Sequence, residues 1–191
     1  RTGVDLSVNV GKKHGDFEWN VGLVGMYYTS KNTKWDENVK YDWLKAEGEA
    51  IDALRGYQCI GFFKDAADVE SSAKVNANTK PGDLKYVDQN NDGVINEQDQ
   101  VVLGKWGASW VMGLNLTAKY KGFTLFVAGT GSFGGKGLKN NSYMHVYGDR
   151  KYSEVVRGRW TEETADIATY PRLTTQGGDL NFVASDFWLY D

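Results

Sequence analysis

The chain reads as all-β: antiparallel strands long enough to cross a bilayer, joined alternately by tight turns and long excursions. Three observations predict this class. Apolar and polar residues alternate with period two in two separate stretches, which places one apolar and one polar face on each strand. Glycine and aromatic residues are abundant and proline is scarce, with 23 Gly, 11 Tyr, 7 Trp and 2 Pro among 191 residues. No apolar run reaches the roughly eighteen residues that an ordinary membrane-spanning helix requires, a limit that says nothing against a membrane-spanning barrel of strands.

The first strand pair is expected over 3–29. Val4, Leu6, Val8 and Val10 alternate with Asp5, Ser7 and Asn9; KKHGD at 12–16 reads as a turn; Phe17, Trp19, Val21, Leu23 and Tyr27 continue one face. A long excursion, 31–107, follows. It is far longer than a connection inside a compact domain and must carry structure or function of its own. Within it, YDWLKAEGEAIDALR at 41–55 reads as a short helix interrupted by Gly48, CIGFF at 59–63 as a brief apolar run, and 65–81 as a polar loop. The second hairpin is expected over 109–130. Trp110, Met112, Leu114, Leu116, Ala118 and Tyr120 alternate with Gly113, Asn115, Thr117 and Lys119, and the chain returns after Lys121-Gly122 through Phe123, Leu125 and Val127. A second long excursion, 131–180, opens with GSFGGKG.

The order short, long, short, long puts both long excursions at one end of the strands. A transmembrane barrel has short turns on the periplasmic side and long loops outside, so it requires this alternation, whereas a sandwich merely permits it. The expectation is therefore an antiparallel section of a large transmembrane β-barrel with short helical pieces in its outer loops. The hairpin residues Trp110, Met112, Leu114, Leu116, Phe123, Leu125 and Val127 would face lipid, while Asn115, Thr117 and Lys119 would point to the lumen.

Charge and cysteine content remove other classes. A net charge of -3, with lysine and arginine scattered along the chain, leaves no footprint for nucleic acid. Cys59, a single thiol, supports neither a disulfide framework nor a cysteine-rich zinc site, and an inert, buried thiol is the expectation. His14 and His145 stand apart without metal-ligand spacing and are expected at the surface. GSFGGKG lacks the glycine and hydroxyl residue of a phosphate-binding loop and reads as a flexible loop. Glu162, Glu163 and Asp166 read as a solvated cluster. No catalytic constellation emerges, and an enzyme is not expected.

One motif does carry chemistry. DQNNDGVINEQD at 88–99 places Asp88, Asn90 and Asp92 at alternate positions, then Gly93, then Val94 with its backbone carbonyl at the seventh position, and Asp99 at the twelfth. Calcium takes six to eight oxygens, and alternate side chains converge on it when the chain wraps the ion at a glycine bend. Asp99 is shorter than the glutamate of helix-loop-helix sensors, and no good amphipathic helices flank the loop, so a structural site is expected rather than a sensor. An Asx-rich turn without an ion remains the alternative.

From 82 to 134, GDLKYVDQNNDGVINEQDQVVLGKWGASWVMGLNLTAKYKGFTLFVAGTGSFG closely resembles SusC/RagA-type TonB-dependent outer-membrane transporters, in which a GDIKYKDLNGDGVI element precedes a strand pair around YKGFDL. RGRWTEETADIATYPRL at 157–173 is similar to that family's RWT and YPRL elements, and SDFWLYD at 185–191 to its SDFWL-DGSYLRL element. GYQCIGFF at 56–63 resembles the stretch that precedes the acidic loop. The resemblance implies a plugged barrel of about twenty-two strands, of which this chain would be a C-terminal section. It further implies import of glycans or peptides driven by TonB, a SusD-like surface lipoprotein as partner, and location in the outer membrane of a Gram-negative bacterium with the long loops outside. The rival is a secreted, soluble β-sandwich that binds carbohydrate through Trp35, Trp43 and Trp160.

Overall fold

The computed structural model describes residues 1–175 and 181–191; the end of the second excursion, 176–180, lies outside the described residues. Strands β1 (Thr2–His14) and β2 (Phe17–Thr29) form one hairpin. The excursion that follows holds β3 (Ala53–Gly56), β4 (Cys59–Phe62), helix α1 (Ala66–Ser71), β5 (Leu84–Tyr86) and β6 (Val101–Lys105). The second hairpin is β7 (Trp110–Tyr120) and β8 (Phe123–Phe133), and two short strands, β9 (Gly137–Leu138) and β10 (Leu189–Tyr190), pair near the end. The fold is all-β and antiparallel, as expected from the alternation.

The main sheet runs in the order β1-β2-β7-β8, antiparallel throughout. Its register sorts the residues into rows that share a face: Val8, Leu23, Leu114 and Gly129 form one, and Val10, Val21, Leu116 and Val127 the next. An eleven-residue strand is about 36 Å long at ~3.3 Å per residue. Tilted by ~45°, it rises about 25 Å, the height of the apolar band of a transmembrane barrel. The apolar face is exposed at Val4, Leu6, Val8, Leu23, Met112 and Leu114, and among the described residues no second sheet covers it. A water-soluble sandwich would bury such a face, so this geometry disfavours the soluble rival.

The opposite face is largely polar. Asn9 and Asn115 crowd over Gly22 so closely that a Cβ there would lie 2.5 Å from each amide group, which leaves room for glycine alone. Lys119 Nζ lies 3.3 Å from Glu18 Oε1 one row from the turns. The hairpin turns occupy two residues each. Lys121 and Gly122 have φ of +46° and +86°, the left-handed pair of a type I′ turn whose twist suits a hairpin. KKHGD is narrower as a turn than its composition suggests, because β1 continues through His14 and leaves only Gly15 and Asp16 to reverse the chain.

The long excursions leave from the other end of the sheet and depart from several sequence expectations. The segment 41–55 is not a helix: Asp42–Leu44 forms a single 3-10 turn and β3 begins at Ala53. Its amide donors are diverted. The Glu37 carboxylate accepts from the amides of Ala46 and Glu47, the Asn32 carbonyl accepts from Gly48, and Gly48 sits at φ +95°, outside helical space. Conversely 65–81, expected as a loop, opens with α1, whose N-cap Asp65 accepts from the amide of Asp68. GSFGGKG is not a free loop, since Gly131–Phe133 belong to β8 and Gly137 starts β9.

Both excursions share one core. Leu84, Tyr86, Ile95, Val146, Val156, Tyr170 and Trp188 are buried together, with Phe182 and Phe187 packed against them. Tyr57 and Ser185 bridge the two segments, and Gly56 admits the Ala184 carbonyl to 2.4 Å from where its Cβ would stand. The assembly is anchored to the strand ends by bonds from the Tyr28 amide to the Ser109 carbonyl and from the Gly107 amide to Asp52 Oδ2.

Candidate functional site

The acidic loop 88–99 lies between β5 and β6, held at its base by the shared core through Tyr86 and Ile95. Its shape is set by carboxylates that receive backbone amides. Asp88 Oδ1 accepts from the Asp92 amide at 3.2 Å and its Oδ2 from the Gly93 amide at 2.8 Å, which curls the chain back on its first ligand-type residue. Asn90 Oδ1 also accepts from the Asp92 amide, and Asn90 Nδ2 reaches Asp92 Oδ2 at 2.9 Å. Asp92 Oδ1 accepts from the Val94 amide at 2.9 Å. The Val94 amide and the Asn90 side chain hold the Asp92 carboxyl below its ordinary range. Gly93 at φ +84° and Asn91 at φ +56° provide the bend, the former at the position where the calcium-type spacing calls for glycine.

Asp99 closes the loop from below. It is fully buried, its Oδ2 accepting from the Asn96 amide and its Oδ1 from the Gln89 amide, so it spans the second and ninth loop positions. Asn96 Oδ1 in turn accepts from the Gln98 amide, and together they form a capping box on the 3-10 turn Glu97–Asp99. Asp88, Asn90, Asp92 and Asp99 offer hard oxygen donors, with the Val94 carbonyl at the bend, although both Asp99 oxygens are taken up by the Gln89 and Asn96 amides. That donor set fits calcium chemically. Among the described residues, however, no group of three or more His, Cys, Asp or Glu side chains is already gathered as a metal cluster.

The loop has neighbours that spacing along the chain does not reveal. Trp43 Nε1 donates to the Gln98 carbonyl at 2.8 Å, and Arg55 fastens the same segment by donating to the carbonyls of Trp43 and Lys45. Trp43 stacks on Tyr41 at 4.6 Å, and Lys40 lies over the Tyr41 ring. A hydrogen bond donated to Tyr41 raises the Lys40 ammonium above its usual range, with a smaller contribution from the charge of Asp92. An earlier segment of the same excursion thus leans on the acidic loop.

The remaining candidates separate. Cys59 is half-buried in β4, where burial pushes its thiol up to about 11; at neutral pH it remains protonated and unreactive. His145 is buried, not at the surface, with its ring 4.8 Å from both Phe182 and Trp188; burial lowers its affinity for a proton, helped by Arg150. His14 ends β1 in the open. Glu162, Glu163 and Asp166 are not buried. Of the tryptophans suggested for sugar stacking, Trp35 is exposed, but Trp160 is buried against Gly82 and Trp43 is committed to Tyr41 and Gln98.

No protein-family model matches the chain. Over 137 residues, 69% of the chain, it is 31% identical to the TonB-dependent receptor P26 of Formosa agariphila. Over 90 residues, 47% of the chain, it is 29% identical to the TonB-dependent receptor P3 of the same species. These matches support the TonB-dependent receptor family. The matched stretches span 13% and 9% of the length of those receptors. That support accords with a sheet whose apolar face is left open and from one end of which both long excursions rise.

Proposed function

We propose that the chain is a C-terminal barrel section of a SusC/RagA-type outer-membrane importer that takes up glycans or peptides. In the complete protein TonB would supply the drive and a SusD-like lipoprotein would cover the outer side. The observation that carries this reading is the exposed apolar face of β1, β2, β7 and β8, on strands whose tilted height matches the apolar band of a barrel. The short turns would then lie on the periplasmic side and the excursions outside.

Fractionation of cells that make the full-length protein tests this. The protein is expected in the outer-membrane fraction, resistant to carbonate extraction, and uptake of labelled oligosaccharides or peptides through it is expected to stop when TonB is removed. Recovery as a soluble periplasmic or secreted protein would overturn the reading.

For the acidic loop we infer a structural calcium site on Asp88, Asn90, Asp92, the Val94 carbonyl and Asp99. Bound calcium would offset most of the charge of three carboxylates and fix the bend on which the 40–55 segment leans. Titration of the detergent-purified full-length protein with calcium should show binding that Asp92→Ala abolishes. Undiminished binding in that variant would place the ion elsewhere.

A further inference from the structure

The charges of the four main strands are distributed unevenly. Their basic residues, Lys12, Lys13 and Lys119, all fall within the last rows before the two tight turns, and Lys121 occupies one of those turns. The register assigns them to faces. Lys12 stands in the row of Trp19, Ala118 and Leu125, and the next row is His14, Phe17, Tyr120 and Phe123. Lys12 is therefore on the apolar face, whereas Lys13, one residue on, shares the polar face with Glu18 and Lys119.

A lysine on an apolar face is costly unless its stem lies along apolar surface while the ammonium reaches water or an anion. Among the described residues neither Lys12 nor Lys121 has a carboxylate partner. Lys121 Nζ instead lies 5.4 Å from the centroid of Tyr120, an exposed ring of the same apolar face. Of the acidic groups at this end, Glu18 pairs with Lys119 on the opposite face, and Asp16, in the turn that follows Lys12, pairs with neither lysine among the described residues. Phe17, Tyr120 and Phe123 are exposed here, forming an aromatic rim between the row of Lys12 and the turn that carries Lys121. At the opposite end the same face carries Val4, Tyr27, Trp110 and Phe133 and no strand cation.

We propose that the short-turn end of the apolar face docks anionic glycerophospholipid headgroups, Lys121 holding a phosphate from the turn beyond the aromatic rim and Lys12 reaching one past the rim from the row beneath it. This rests on the reading of the sheet as membrane-spanning. Charge complementarity selects the occupant: an apolar face edged by unpaired ammonium groups matches a bilayer leaflet with phosphate at its surface. Lys12 and β7 are two strands apart, about 10 Å, and Lys121 lies three residues beyond the Lys12 row, about 10 Å further along the strands, so the two lysines address neighbouring headgroups rather than one.

The test uses the full-length protein in bilayer discs of mixed phosphatidylglycerol and phosphatidylcholine, with retained lipid identified by native mass spectrometry. Wild type is expected to retain phosphatidylglycerol preferentially. Each lysine at an anionic surface is worth roughly fivefold, so Lys12→Gln with Lys121→Gln is expected to lower that preference about 25-fold. Lys13→Gln, on the other face, should leave it unchanged. An unaltered preference in the double variant, an equal loss in Lys13→Gln, or displacement of the lipid by excess inorganic phosphate would each overturn the proposal. If wild type enters the bilayer without preferring phosphatidylglycerol, this inference alone falls; if it does not enter at all, the membrane reading falls with it.

Discussion

Leu114→Arg is expected to prevent the full-length protein from assembling in the outer membrane, while Thr117→Arg is tolerated. Leu114 is near mid-height of β7, between Leu23 and Gly129, and exposed on the apolar face. An arginine at that depth of a lipid-facing strand costs about 2–4 kcal/mol. Since each 1.4 kcal/mol is about tenfold in an equilibrium, the folded fraction should fall well over tenfold for a protein near its stability limit. Thr117 is three residues further on and on the other face, in register with Asn20 and next to the row of Asn9, Gly22 and Asn115. A guanidinium there enters a polar environment. Heat-modifiable migration of the protein from membrane fractions measures both variants. Equal tolerance, or equal loss, would mean that the two faces do not differ as lipid and lumen.

The contrast between these positions is legible in the sequence, because strand alternation has a period that no other element shares. Val4, Leu6, Val8 and Val10, and Trp110 through Tyr120, declare which residues share a face, and Lys121-Gly122 declares the reversal. The excursions are less legible for a physical reason. Helical spacing at 41–55 is overridden by tertiary bonds: Glu37 and Asn32 take up the amides and carbonyls that a helix would use, and Ala53 pairs with Lys105 across most of the excursion. Trp160 resembles an exposed sugar platform in sequence because its burial depends on Gly82, far away along the chain. The expectation of a surface His145 fails likewise, its aromatic neighbours Phe182 and Trp188 lying some forty residues on. Within the acidic loop, the side chains that shape the bend are evident from spacing. That Asp99 is buried as a capping residue, and that Trp43 braces Gln98, follows only from the fold.

Asp83→Ala is expected to be the most damaging substitution in the assembly formed by the two excursions. Asp83 is 1% exposed and gathers four donors: Arg172 Nε at 2.7 Å, Arg172 Nη2 at 3.1 Å, Asn181 Nδ2 at 2.8 Å and the Lys80 amide at 2.8 Å. The Nε contact is an ion pair whose N–H points off-line, so the directional bond from arginine runs through Nη2. Around it, Asn181 accepts from the Leu84 amide and the Trp188 indole, and the Gly82 carbonyl accepts from the Arg172 amide. One carboxylate therefore joins segments that lie nearly a hundred residues apart. Removing it leaves the guanidinium and the Asn181 amide buried without their acceptor, a loss of about 3–5 kcal/mol. Arg172→Met should cost a similar amount by leaving Asp83 uncompensated, and the double variant should cost at least about 1 kcal/mol less than the two losses added, because neither charge is then orphaned. Protease susceptibility of the two long excursions across a urea series measures all three in the full-length protein. Strictly additive losses would show that the two side chains stabilise the assembly independently, not as a pair.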